Sequence, residues 1–285
     1  MSTHQQPAAT TAPTNLPLIL SGPIIRHASS EQLVIWLVTS RSVKLELRCY
    51  HGDELLGAAT FNGEHDGHVR LGEHAHLHLL QLKPEQNLPQ DTWLAYDIGL
   101  DPPDDEPFTG TQWLADILPQ LMFGDATRPD FVIKSRVDHV LHGSCRKPHH
   151  PDPDGLLRVH DVLAVARQDG AGLADQPAML MMTGDQIYAD DVGGPVLVAI
   201  QRVIDLLGLF DEAINGLEHH HCGRDLRKDN NNLYGRTRLL PDDKANATLR
   251  ETFFMGARKP VFTSVHADNH LITLSEVLGM YLLIW

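Results

Sequence analysis

The hydrophobic period of the chain changes part-way along its length, and this change constrains the fold more than any other feature. Apolar and polar residues alternate between residues 43 and 50, and similar short runs continue over residues 17–100. Period-two alternation is typical of strands with one buried face. Turn signals such as Asn62-Gly63 separate the runs, so this region predicts an antiparallel β-sandwich.

A different pattern begins after a Pro-rich acidic break at residues 101–107. Strands and helices then alternate, which predicts parallel strands joined by right-handed crossovers. Asp154 precedes one predicted helix as its cap, Pro195 opens another, and Thr273 with Glu276 has the spacing of a capping box. We expect strands and helices at residues 131–134, 138–143, 156–166, 178–182 and 195–207 and from residue 273 onward.

These patterns predict an α/β sheet layered with helices, preceded by an all-β sandwich domain. We expect a disordered tail at residues 1–15, the sandwich at 16–125 and the α/β domain at 126–285. The poorly periodic residues 209–260 are interpreted as an insertion or cap over the sheet.

Charge and cysteine content limit the classes of partner and the compartment. Lys and Arg number 23 against 37 Asp and Glu, a net charge of −14, which argues against nucleic acid and anionic membrane surfaces as partners. Three cysteines are too few for a disulfide framework in 285 residues. Because the first 15 residues lack the pattern of a signal peptide, we expect a cytoplasmic protein with free thiols.

Two polar loops each follow a predicted strand directly. The first is His142–Arg146 (HGSCR) and the second is Thr183–Asp191 (TGDQIYADD). About one crossover's length of chain separates them, so both loops should lie at the carboxyl ends of neighbouring parallel strands, where open α/β sheets bind ligands.

The side chains in these loops indicate a cation site. Cys145, Asp185 and Tyr188 can each become an anion, and together they would repel one another unless a strong positive charge lay between them. Three anionic ligands balance Fe³⁺, and the second oxygen of Asp185 allows a bridge to Ca²⁺. Asp190 is interpreted either as a further ligand or, with its neighbour, as a cap of the following helix. Arg146 has the planar fork that suits a phosphate.

The segments GSCR and TGDQIYADD resemble those of the PhoD-like (alkaline phosphatase D) metallophosphatases over roughly residues 130–285. The resemblance implies that Cys145, Asp185 and Tyr188 bind the catalytic iron, that calcium ions complete the site, and that Asp190 corresponds to an acidic family position. It also implies metal-dependent hydrolysis of a small phosphoester. A sandwich ahead of the catalytic domain fits the same family.

The chain also departs from the family pattern. The Asp- and His-rich segment that supplies later metal ligands is not found, and we expect Asp268–His270 to lie outside the metal shell. We therefore expect an amino-terminal portion with an incomplete catalytic domain. The alternative is a non-catalytic binding protein, or an inactive fragment, that uses the β-sandwich.

Two further histidine groups raise the alternative of a zinc-binding module. His74, His76 and His78 share one strand face and have the residue type that borderline metals prefer. We expect them instead on a solvated outer face, opposite an apolar face formed by Ala75, Leu77 and Leu79. Residues 219–221, three consecutive histidines followed by Cys222, are expected in an exposed loop.

Overall fold

The structure is a computed structural model that describes residues 16–102, 110–147, 150–168, 172–214, 222–228, 234–236 and 269–285. Over these ranges the chain is a mixed α and β protein in which strands dominate and most strand pairs are antiparallel. The predicted tail at 1–15, residues 103–107 of the acidic break, the histidines at 219–221 and most of the expected insertion at 209–260 lie outside the described residues.

The elements follow the sequence in this order. The strands are β1 (Ile19–Ser29), β2 (Gln32–Thr39), β3 (Lys44–His51), β4 (Glu54–Phe61), β5 (His68–Gly72), β6 (Ala75–Leu82), β7 (Trp93–Asp101), β8 (Gln112–Trp113), β9 (Asp130–Val132), β10 (Val140–Gly143) and β11 (Met179–Met182). The helices are α1 (Leu114–Ile117), α2 (Leu156–Val165), α3 (Gly194–Leu207), α4 (Gly223–Lys228) and α5 (Leu274–Ile284).

The predicted sandwich is present as two antiparallel sheets. One has the order β1-β2-β6-β5, and the other has the order β4-β3-β7-β8 with β9 also paired to β7. Ile35 and Leu80 of the first sheet share one apolar core with Leu47 and Ile98 of the second, and all four are fully buried. The alternation seen in the sequence therefore places one face of each sheet inside.

The strand predicted near residue 131 does not belong to the α/β part, so that assignment is wrong. β9 pairs antiparallel with β7 of the sandwich, with Leu94 opposite Phe131. Phe131 and Ile133 bury their side chains in the sandwich core. A short apolar run carries no signal for which sheet it joins, and here the nearer apolar surface is the sandwich.

The strand and helix alternation after residue 138 is confirmed. β10 and β11 pair in parallel, and α2 lies between them in sequence. The cap position of α2 is Gly155 rather than the predicted Asp154, although Asp154 still accepts a hydrogen bond from the Leu156 amide at 3.0 Å. α3 has Pro195 in its first turn and ends at Gly208, whose φ of 55° is the left-handed conformation that glycine adopts readily.

Helices cover part of the outer face of the first sheet. Val38 and Ala75 from this face form a second apolar core with Ile200 and Ile204 of α3 and Met280 of α5. All five residues are nearly or fully buried. The sandwich and the α/β part are therefore joined through a continuous apolar interface.

The prediction of a solvated histidine face is wrong for His76 and His78, because their face of β6 packs against the second sheet. His76 and His78 are 8% and 0% exposed, whereas Leu79 on the opposite face is 43% exposed. His76 and His78 share the inner face of β6 with Leu80, since alternate residues of a strand point to the same side. Alternation identifies the residues that share a face but not which face lies inside.

None of the helices in the described part of the chain combines the length and the apolar character needed to cross a lipid bilayer.

Candidate metal site at the ends of two parallel strands

The register of β10 and β11 brings the two polar loops together. Gly143 lies opposite Met182 in the last pair of the ladder. Backbone bonds continue beyond the strands, from the Cys145 amide to the Gly184 carbonyl at 3.2 Å and from the Arg146 amide to the Asp185 carbonyl at 2.9 Å. The prediction that these loops meet at the carboxyl ends of parallel strands is confirmed.

The first two predicted ligands are in direct contact. Cys145 Sγ lies 3.3 Å from Asp185 Oδ2, and both residues are exposed at the surface of the site. Both residues have a left-handed backbone, with φ of 58° at Cys145 and 47° at Asp185. Such angles are uncommon outside glycine and cost of order 1–3 kcal/mol, so strained backbone of this kind often marks a functional site.

Tyr188 completes a cluster of three acidic side chains. A hydrogen bond with the Cys145 side chain, together with partial burial and the charges of Asp185 and Asp190, raises the pKa of Tyr188 to about 12. Negative charge on a neighbouring side chain disfavours the phenolate form of Tyr188, so the pKa is raised. Asp190 is thus close enough to act electrostatically on Tyr188.

Lys147 is the cation that sequence reasoning missed. Its Nζ lies 3.1 Å from Asp191 Oδ2 and 5.5 Å from the centre of the Tyr188 ring. The only sequence signal for a role of Lys147 in the site was its position next to Arg146.

Asp191 does not occupy the cap position of α3, because that position belongs to Gly193.

Arg146 lies beside the site with much of its guanidinium engaged. Its Nε and Nη2 donate to Asp154 Oδ2 at 3.1 and 2.8 Å, and its Nη1 donates to the Ile284 carbonyl at 2.6 Å. The guanidinium also lies over the Trp285 ring, 4.4 Å from its centre. Asp154 therefore has two roles: it accepts a hydrogen bond from the first turn of α2, and it orients Arg146. The sequence did not indicate that one residue would have both. Phosphate binding by Arg146 remains a prediction.

The end of the chain supports the second loop from behind. Asn269 Nδ2 donates to the Val192 carbonyl at 2.8 Å, and the Leu271 amide donates to the Ala189 carbonyl at 2.7 Å. Trp285 Nε1 donates to the Gln186 carbonyl at 3.1 Å. Asn269 thus braces the loop that carries the predicted ligands.

A cavity of about 580 Å³ opens next to the cluster. Cys145, Lys147 and Tyr188 line its polar side, and Leu156, Val159 and Leu180 are among the apolar side chains that line the rest. A cavity of this size and mixed lining is typical of small-molecule sites.

The chemistry of the donor set fits a metal ion. Ligand atoms held at roughly 2.0–2.3 Å from one ion lie roughly 3–3.5 Å apart, and the sulfur-to-oxygen distance of 3.3 Å falls in this range. Among the described residues no group of three or more His, Cys, Asp and Glu side chains is arranged to hold a metal. The fit therefore depends on the Tyr188 hydroxyl as the third donor.

Comparison with known proteins adds no assignment, because neither a family model nor a curated protein matches the chain.

Proposed function

We propose that the protein is a metal-dependent phosphoester hydrolase of the PhoD-like type. The observation that supports this proposal most directly is the convergence of Cys145, Asp185 and Tyr188 where β10 and β11 end. Helices layered on a metallophosphatase-like sheet, of which β10 and β11 form part, belong to the same proposal.

In this proposal Cys145, Asp185 and Tyr188 hold Fe³⁺, and Asp185 and Asp190 contribute oxygens toward Ca²⁺. When bound, the metal ions would activate a water nucleophile and neutralise charge on the phosphoryl oxygens. The protein's own contribution is to fix the three donors through the backbone bonds between the loops. Lys147 adds positive charge next to Tyr188, where an incoming phosphate would need it.

The test is to load the purified chain with Fe³⁺ and Ca²⁺ and to record its visible absorption and its hydrolysis of bis(p-nitrophenyl) phosphate. Phenolate and thiolate bound to Fe³⁺ should give a charge-transfer band that is absent from the apoprotein. Tyr188→Phe should lose much of the band, and Cys145→Ser should change it. Both variants should lose at least about a hundredfold in turnover, because the protein's fixed ligands would be missing.

Cys222→Ser is the matched control, since it removes a thiol outside the cluster. It should keep the band and the rate of the parent protein. An iron-loaded chain without the band would overturn the ligand assignment. A chain that shows the band but no turnover with mono- or diester substrates would overturn the hydrolase proposal and favour a binding role.

A further inference from the structure

Four histidines form a compact stack at one end of the sandwich core. His76 and His78 lie on β6, His68 lies on β5, and His65 lies in the turn before it. Ring centres are 5.4 Å apart for His65 and His78, 5.1 Å for His68 and His78, and 5.3 Å for His68 and His76. Phe61 at the end of β4 closes the stack, 5.2 Å from His65.

The hydrogen bonds of two rings in the stack, His65 and His78, fix where the protons of these rings are. Thr39 donates its only hydroxyl proton to the Arg41 carbonyl at 2.7 Å, so its oxygen accepts from His78 Nε2 at 3.0 Å. His78 Nδ1 then carries a lone pair and accepts from His65 Nε2 at 3.2 Å. His65 Nδ1 in turn accepts from the Gly67 amide at 3.1 Å.

This relay is complete with neutral rings and has no place for another proton. A second proton on His78 would point at the N–H of His65, and a second proton on His65 would point at the N–H of Gly67. The lone pairs of both rings are already used, and the described residues hold no group of three or more His, Cys, Asp and Glu side chains arranged to bind a metal. The stack is therefore suited to respond to protons rather than to bind a metal.

The surrounding charges favour the neutral state. Burial, followed by repulsion from His68, His65 and His76, lowers the pKa of His78 to about 3. Burial and the His68 charge also lower the pKa values of His65 and His76.

The remaining charged and polar groups that face the stack each shift the pKa of one histidine. Asp66 partly offsets the downward pKa shift at His65. Arg70 and His74 increase the shift at His76, and the Glu73 backbone partly offsets it. β2 contributes the uncharged Thr39, so the described neighbours of His78 include no buried carboxylate that would stabilise a charged stack.

The hairpin that carries the stack is also tied to α3. At its tip the Glu73 amide donates to the Gly208 carbonyl at 3.0 Å, and the His74 amide donates to the Leu207 carbonyl at 2.8 Å. Leu71 lies in the same apolar core as Leu207. Displacing the hairpin would therefore disturb the interface between the sandwich and the α/β part.

We propose that this histidine stack is an acid-sensitive latch whose protonation frees residues 65–75 from the sandwich and weakens their attachment to the end of α3. The proposal is independent of the proposed hydrolase activity. In the folded protein the pKa values of His65, His76 and His78 lie below the ordinary histidine value of about 6.5. The latch is therefore fully stable above that pH and weakens as the pH falls below it. A histidine that charges only when the latch is open favours opening by about tenfold at pH 5.5.

Hydrogen exchange measured by mass spectrometry at pH 7.5 and 5.5, corrected for the intrinsic exchange rate, tests this idea. Protection of the Glu73 and His74 amides should fall by at least about tenfold at the lower pH. Amides of β7 should change little. His78→Gln can keep both hydrogen bonds but cannot titrate. In this variant the loss of protection between pH 7.5 and pH 5.5 should be about tenfold smaller than in the parent protein. His27→Gln, an exposed histidine on β1, is the control and should behave as the parent protein.

Unchanged protection of the hairpin at pH 5.5, or an equal loss in every segment, would overturn the latch. An equal response of His78→Gln and His27→Gln would also overturn it. If His78→Gln does not fold, His65→Gln replaces it, because His65 is only half buried, and a reduced pH response is again required.

Discussion

Glu276 offers the sharpest test of what holds the α/β part together. Its side chain is fully buried and its carboxylate accepts five hydrogen bonds. Two come from Arg236, at 3.0 and 2.9 Å, and one comes from Gln201 at 2.9 Å. The amides of Ile272 and Thr273 supply the others, at 2.9 and 3.2 Å.

Glu276→Gln keeps the size of the side chain but removes its charge. Arg236 then loses this carboxylate as its buried counterion, and breaking a buried pair from one side costs about 3–5 kcal/mol. We expect a loss near 3 kcal/mol, since the amide oxygen can still accept. This is a large part of a typical unfolding free energy of about 5–15 kcal/mol.

Urea unfolding at pH 7, followed by circular dichroism, measures the loss. With a slope of about 3 kcal/mol per molar urea, the midpoint should fall by about 1 M. Glu31→Gln, at an exposed position, should leave the midpoint unchanged. The double variant Arg236→Met/Glu276→Gln should recover part of the loss, because it leaves no buried charge while the amide oxygen can still accept from the backbone amides of Ile272 and Thr273.

The pH dependence gives a second test with a defined sign. Burial pushes the pKa of Glu276 upward, but Arg236 and the two backbone amides outweigh it, so the pKa lies below its ordinary value. The stabilisation is therefore present above about pH 4.5 and is lost as the pH falls below it. Equal midpoints for Glu276→Gln and Glu31→Gln at pH 7 would refute this reasoning.

Three further outcomes follow from the described contacts. In the metal-free protein, the ultraviolet titration difference between the parent and Tyr188→Phe should have its midpoint near pH 12, and Cys145→Ala should move it toward 10. Gly72→Ala should lower stability by about 1–3 kcal/mol in thermal unfolding, because the new Cβ would lie 2.7 Å from two backbone carbonyl oxygens at the end of α3. Cys49, fully buried with its pKa raised to about 11, should resist a thiol reagent in the native protein, whereas the exposed Cys145 should react.

Of the contacts that Glu276 makes, only those with its neighbours in the chain could be predicted from the sequence. Thr273 and Glu276 form the capping box that their spacing predicts, with Thr273 Oγ1 accepting from the Glu276 amide at 3.1 Å. Arg236, the partner that makes this carboxylate structurally decisive, lies 40 residues away in a stretch without periodicity. Capping depends on neighbours in the chain, whereas the ion pair depends on how distant segments pack, and no local pattern encodes that.

The same distinction explains why the site was easier to predict than the histidine stack. Gly143 lies opposite Met182, so residues two and three positions beyond each strand must meet if the ladder continues. It does continue, because the Cys145 amide bonds to Gly184 and the Arg146 amide bonds to Asp185. Two strands and one crossover were therefore sufficient to predict the meeting of Cys145 and Asp185. The position of His78 could not be derived in this way, since it required knowing that the second sheet covers one face of β6 while α3 and α5 cover the other.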